Sequence, residues 1–165
     1  MTPWVLILMG SDSDAEVMSQ AASALDEAGV PYEMTVASAH RTPERTKQIV
    51  TNAEANGAAV FIAGAGMAAH LPGVIASLTT RPVIGVPLSS GALQGVDALY
   101  AIVQMPPGIP VASVAIGGAR NAGILAAQMI ATGDAALAAR LKEKRAAMAD
   151  AVVQKAAKVT KSTRK

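Results

Sequence analysis

Apolar positions cluster along this chain at two alternating spacings. "WVLILMG", residues 4–10, is a short unbroken apolar run, the pattern of a strand covered on both faces. After a polar loop, Val17, Ala21, Leu25 and Ala28 recur at helical period until Gly29 stops them, and Ser13 with Glu16 has the spacing of a capping box. The unit then repeats. "YEMTVA" alternates as a second strand, and Thr42 is placed to cap a helix with Pro43 at its first position, running toward Asn56 and Gly57. "AAVFIAGAG" predicts a third strand, "PVIGVP" a fourth, and "VASVAIG" a fifth, followed by a helix across "NAGILAAQMIA". Strands alternating with helices favour a parallel sheet with right-handed crossovers, so the expected fold is one doubly wound, three-layer α/β domain over residues 1–133.

Beyond it, Leu137, Leu141, Met148, Val152 and Val159 mark one side of a long helix spanning 134–160, expected to reach past its own domain as an oligomer arm. Residues 161–165 are expected to be disordered.

Composition narrows these expectations. With 165 residues there is room for one domain, and with 52% hydrophobic but only 2% aromatic residues the core must be built from closely packed small and aliphatic side chains. The chain has no cysteine, which removes disulfides and thiolate chemistry. No apolar run is long enough for a membrane span and no signal-peptide pattern opens the chain, so a cytoplasmic protein that does not engage a membrane is expected. The net charge of +2 is unevenly spread: residues 140–165 hold nine Lys/Arg against two acids (+7), and the rest five against ten (−5). That basic stretch has no aromatic residue to stack on a base, so nucleic acid is not expected as a partner.

Four segments fall at the carboxyl ends of predicted strands, where doubly wound sheets bind ligands. In "GSDSD", residues 10–14, serine hydroxyls and helix-terminal amides suit a phosphate, and Asp14 can accept from ribose hydroxyls; helix capping by Ser13 explains the same residues. In "SAHRTP", residues 38–43, Arg41 can pair with a phosphate and His40 belongs to the one residue type that ordinarily exchanges protons near neutral pH. "GAGMAAHLPG", residues 64–73, permits close backbone approach, but its G-x-G lacks the third glycine of a dinucleotide site. His70 in it suits a capping or subunit-contact role as well as catalysis, and two histidines with scattered acids form no metal-ligand spacing. The fourth, "PLSSGALQGVDALYAIVQMPPGIPV", suits a lid or pocket wall.

Taken together, "MGSDSD", "SAHRTP", "AGAGMAAHLPG", "PVIGVP" and "AIVQMPPGIPV" resemble, in order and spacing from Val5 to Ile130, the class I N5-carboxyaminoimidazole ribonucleotide mutases of purine (IMP) biosynthesis. The resemblance implies a flavodoxin-like fold assembled as a homo-octamer, a small-molecule ribonucleotide substrate, and no metal or organic cofactor. It implies transfer of a carboxylate from the exocyclic nitrogen of the substrate to ring carbon 4, giving 4-carboxy-5-aminoimidazole ribonucleotide. It further implies that His40 is the general acid/base, that Ser11, Asp14 and Arg41 bind substrate, and that Ser13, Ser38, Ala65, Gly66, His70 and Leu71 line the same pocket. Two departures stand out: Met67 occupies a position usually held by glycine or serine, and "GGARN", residues 117–121, is shorter than in many members. The competing readings are a class II carboxylase acting on aminoimidazole ribonucleotide with CO2, a noncatalytic nucleotide-binding module, and an oligomeric scaffold.

Overall fold

A computed structural model describes residues 2–161; of the tail expected to be disordered, residues 162–165 lie outside the described residues. Five strands, β1 (Trp4–Met9), β2 (Tyr32–Val36), β3 (Ala58–Gly66), β4 (Val83–Leu88) and β5 (Ala112–Ser113), form one sheet in the order β2-β1-β3-β4-β5. Every pairing is parallel. This is the flavodoxin-like strand order.

Side-chain alternation divides the core into two layers. Val5, Ile7 and Met9 of β1 and Val60 and Ile62 of β3 face α1 (Ala15–Ala28) and α5 (Ala119–Ala131). Leu6, Leu8, Phe61, Ala63 and Ala65 face the other way, toward α2 (Pro43–Ala55), α3 (Leu71–Ala76) and α4 (Val96–Val103). Because a strand's side chains point alternately to its two faces, an unbroken apolar run is what a doubly covered strand requires. β2 is the exception: it is an edge strand, and Met34 and Val36 remain exposed.

The small residues set how closely the layers approach. A Cβ on Gly123 of α5 would lie 2.5 Å from the Ala21 carbonyl oxygen and 2.9 Å from the Ala24 Cβ on α1, so backbone there packs against backbone. On the other face, a Cβ on Gly85 of β4 would lie 2.5 Å from the Ile102 side chain of α4. The near absence of aromatic residues is thus matched by helices seated directly on their neighbours.

The last helix, α6 (Ala135–Val159), begins where the chain turns at Asp134, whose carboxylate accepts the Leu137 N–H at 2.9 Å. Its first turns are anchored: Leu137 is buried in the core, Arg140 Nε donates to the Ala28 carbonyl at the end of α1 (3.3 Å), and Glu27 receives both Arg120 (2.8 Å) and Lys144 (3.5 Å). Farther along, Met148, Val152 and Val159 are exposed, so the apolar stripe expected on this helix continues after the helix has left the body.

Three local expectations need correction. The capping box is formed two residues earlier than Ser13 and Glu16: Ser11 caps a 3-10 turn at Asp12–Asp14, its hydroxyl accepting the Ser13 N–H (3.3 Å) while the Asp14 carboxylate accepts the Ser11 N–H (3.1 Å). Thr42 precedes α2 but makes no side-chain cap; its hydroxyl is engaged by Ser38. The fifth strand is two residues, not seven. Beyond Ser113 the chain still follows β4 through Val114 N–H to Gly85 (3.2 Å) and Gly117 N–H to Pro87 (2.8 Å), but it leaves regular pairing as it turns at Gly117, whose φ is 71°.

Candidate functional site

The strand order reverses at β1 and β3: β1 connects outward through α1 to β2, and β3 connects the other way through α3 to β4. Adjacent strands whose connections diverge leave a crevice at their carboxyl ends, the position at which sheets of this kind take ligands. Loop 10–14 follows β1, loop 37–42 follows β2, loop 67–70 follows β3, and loop 89–95 follows β4.

The first loop is drawn together by short polar contacts. Beside the reciprocal Ser11–Asp14 box, the Ser13 hydroxyl meets that of Ser11 at 3.0 Å, and the Ser11 hydroxyl donates to Asp12 at 3.0 Å. Burial raises the Asp14 carboxyl above its ordinary value; hydrogen bonds from Ser11 and Ser13 work against that, and the Asp12 charge adds to it. A half-buried carboxylate at a helix start can accept from sugar hydroxyls, but it is unfavourable ground for a phosphate. The serine hydroxyls and the next loop are the better ground for an anion.

That loop is fastened by Ser38. Its carbonyl accepts the Thr42 N–H (2.8 Å) and hydroxyl (3.0 Å), and its own hydroxyl accepts the Arg41 N–H (3.2 Å) and Nε–H (3.3 Å). Arg41 Nη2 donates to the Gly10 carbonyl at 3.4 Å, tying the second loop to the first. A guanidinium has five N–H donors; with Nε and one Nη2 hydrogen used, three remain for an anion. The exposed Arg41 is therefore oriented before a ligand arrives.

The other end of this loop meets the loop after β3. His40 Nε2 lies 2.7 Å from His70 Nδ1, with the rings edge to face at 82°. At that separation only one of the facing nitrogens carries a hydrogen, so the rings share one proton position between them. His70 holds the N-cap position of α3 without capping it; its side chain turns to His40 instead. Thus Arg41 and His40 are consecutive residues whose side chains reach different loops, Arg41 the one after β1 and His40 the one after β3.

The loop carrying His70 has an unusual backbone. Its glycines are not the residues with left-handed geometry: Met67 (φ 54°) and Ala69 (φ 41°) are. Gly66 is required for a different reason, because a Cβ there would lie 2.5 Å from the Ser90 hydroxyl. Ser90, on the loop after β4, thus packs directly against the end of β3, within the segment whose sequence suits a pocket wall.

The AIR carboxylase family model matches residues 4–151. The chain belongs to the AIR carboxylase family. Among relatives of this AIR carboxylase family chain, the N5-carboxyaminoimidazole ribonucleotide mutase of Thermotoga maritima is 54% identical over 93% of the chain and 90% of its own length. That of Pyrococcus horikoshii is 62% identical over 78% of the chain and 72% of its own. The phosphoribosylaminoimidazole carboxylase of Schizosaccharomyces pombe is 51% identical over 97% of the chain, which matches 29% of that longer protein. Among solved structures, Treponema denticola PurE superposes with a TM-score of 0.89 at 30% identity, covering 96% of this chain and 99% of that one. The fold and family expected from the motifs are therefore established.

The expected site residues fall into three connected groups: Ser11, Ser13 and Asp14; Ser38 and Arg41; His40 and His70. Ala65 and Leu71 are different in kind. Both side chains are buried in the core, at 7% and 3% exposure, so only their backbone groups can face a ligand. Thr42 and the Gly10 carbonyl were not anticipated as parts of the site. Thr42 was hidden by its resemblance to a helix cap, and a backbone carbonyl leaves no sequence signal.

Proposed function

We propose that this AIR carboxylase family chain is a mutase converting N5-carboxyaminoimidazole ribonucleotide to 4-carboxy-5-aminoimidazole ribonucleotide in purine biosynthesis. The carrying observation is near-full-length similarity to curated mutases, 54% identical to that of Thermotoga maritima over 93% of the chain. Three loop clusters suited to phosphate, ribose and proton transfer support it.

In this reading Arg41 and the Ser11, Ser13 and Ser38 hydroxyls hold the 5'-phosphate, and Asp14 accepts from the ribose. Binding energy gathered there fixes the aminoimidazole against His40. The substrate is a carbamate: when its nitrogen takes a proton from His40, the N–C bond breaks and CO2 is released within the site. The ring then behaves as an enamine whose carbon 4 attacks CO2, and the hydrogen on that carbon leaves as a proton to His40. One imidazole thus serves as acid and then as base, with no net proton change. His70 fixes the orientation of the His40 ring; backbone of Ala65, Gly66 and Leu71 borders the imidazole.

The deciding experiment follows N5-carboxyaminoimidazole ribonucleotide by NMR in CO2-purged buffer. Direct appearance of the carbon-4 carboxylate is expected, and His40→Asn should retain binding while losing turnover. Formation of product only from aminoimidazole ribonucleotide plus CO2 would instead select the carboxylase, and binding with neither reaction a noncatalytic module.

We further infer a homo-octamer, supported by the exposed apolar residues of α6 and by Leu93, Val96, Tyr100 and Val103 around α4. A monomer in sedimentation at micromolar concentration would refute it. No helix among the described residues is long and apolar enough to cross a membrane; a cytoplasmic location is inferred from the biosynthetic role and is checked by cell fractionation.

A further inference from the structure

Met67 combines an unfavourable backbone with an unprotected side chain. The Ala69 N–H donates to the Gly66 carbonyl at 3.0 Å, closing a turn in which Met67 is the first central residue, at φ 54°. Turns entered with positive φ ordinarily place glycine there, and a long side chain is strained in that region. Strain of this kind persists where surrounding structure or function maintains it. Packing within the subunit does not account for it, since Met67 is 63% exposed.

Its place in the site offers an account. Met67 follows the last residue of β3 and stands three residues before His70, whose ring touches that of His40 at 2.7 Å. The loops that meet at this end of the sheet carry serine, aspartate, arginine and histidine side chains. These suit a charged, hydroxylated ribonucleotide, but not the species present between the two halves of the transfer, which is CO2: small, uncharged and apolar. Methionine has three rotatable bonds and a polarizable thioether that adapts to irregular apolar contacts.

Resting on the mutase reading, we propose that Met67 covers the imidazole end of the bound ribonucleotide and retains CO2 between the two half-reactions. Met67 exchanges no atoms. The carbamate N–C bond breaks as the nitrogen takes the His40 proton, the carbon-4 bond to CO2 forms, and the carbon-4 proton returns to His40. Met67 decides whether the CO2 that is captured is the one just released or one from solution. It is a positioning residue, and its signature is the origin of the carbon rather than the rate.

The test gives the full-length protein unlabelled N5-carboxyaminoimidazole ribonucleotide in buffer containing 13C-bicarbonate and carbonic anhydrase, and measures 13C in the carbon-4 carboxylate per product formed at early turnover. Wild type and Met67→Leu, which keeps an apolar cover, should incorporate little label. Met67→Gly, which suits the local backbone and therefore folds, should incorporate severalfold more. Equal labelling of Met67→Gly and wild type overturns the proposal, as does Met67→Leu labelling as heavily as Met67→Gly. Absence of any carbon-4 carboxylate with wild type would overturn the mutase reading itself, and is seen before any label is counted.

Discussion

Arg41 offers the most direct test of how the site divides its labour. Ser38 and the Gly10 carbonyl occupy two of its donors at 3.3 and 3.4 Å, which aims the remaining three and removes part of the ordering cost of binding. A guanidinium so placed can make two charge-assisted hydrogen bonds to a phosphate, each worth about 1.5 kcal/mol at the low end of the usual range. Arg41→Ala should therefore weaken ribonucleotide binding by about 3 kcal/mol, on the order of a hundredfold in Kd. Arg41→Lys keeps the charge but loses the fork, and should fall between. Calorimetric titration of both proteins with aminoimidazole ribonucleotide and with its nucleoside, which lacks the phosphate, completes the cycle. The nucleoside should bind wild type and Arg41→Ala alike. Equal weakening for both ligands would show that Arg41 shapes the loop and does not contact phosphate, and refute the reasoning.

Asp14→Asn should separate stability from binding. Burial raises the Asp14 carboxyl above its ordinary 3.8, so the folded protein holds this proton more tightly than the unfolded chain. The resulting penalty is absent below pH 3.8 and complete once pH exceeds the raised value; stability falls as pH rises across that window. Urea unfolding should accordingly find Asp14→Asn more stable than wild type at pH 7, the difference narrowing toward pH 4, while ribonucleotide binding weakens by about tenfold through loss of one charge-assisted bond. Gly123→Ala tests the close packing of α1 and α5. Its Cβ would meet the Ala21 carbonyl at 2.5 Å, and backbone cannot yield as a side chain tip can. Overpacking of about 2–3 kcal/mol set against about 1 kcal/mol of gained helix propensity leaves a loss of about 1–2 kcal/mol, or roughly 2–8 °C in Tm. An unchanged or higher Tm in a calorimetric scan would mean that propensity outweighs packing.

The parts of this molecule that could be read from the sequence are those governed by local periodicity. β1 and β3 are covered on both faces, so their apolar runs are continuous; α1 ends at Gly29, whose φ of 70° suits glycine, as the break in its pattern suggests. β5 is shorter than its sequence suggests because "VASVAIG" has strand composition throughout, while the chain leaves the ladder after Ser113 and turns at Gly117, φ 71°. The capping box falls at Ser11 because Ser11 with Asp14 and Ser13 with Glu16 offer the same spacing two residues apart, and only the path of the chain leaving β1 chooses between them. Motif order brought the right loops to one crevice. It did not predict that Arg41 would fasten to the Gly10 carbonyl, 31 positions away, or that His40 and His70 would meet across 30.

Those two long-range contacts explain why the motifs work as a set. Ser38 fixes the backbone of its loop, and from that fixed turn two consecutive side chains leave in different directions, Arg41 toward the loop after β1 and His40 toward the loop after β3. A displacement of Ser38 would therefore move the Arg41 and His40 side chains together. In the proposed reading, the energy of holding the phosphate at Arg41 is transmitted through one residue's spacing to the His40 imidazole. A loop that bound phosphate equally well without this coupling would hold the ribonucleotide and leave its carbamate unaligned with His40. On the proposed reading, the difference between a binding module and a mutase on this fold rests less on which residues are present than on Arg41 and His40 leaving one turn fastened by Ser38.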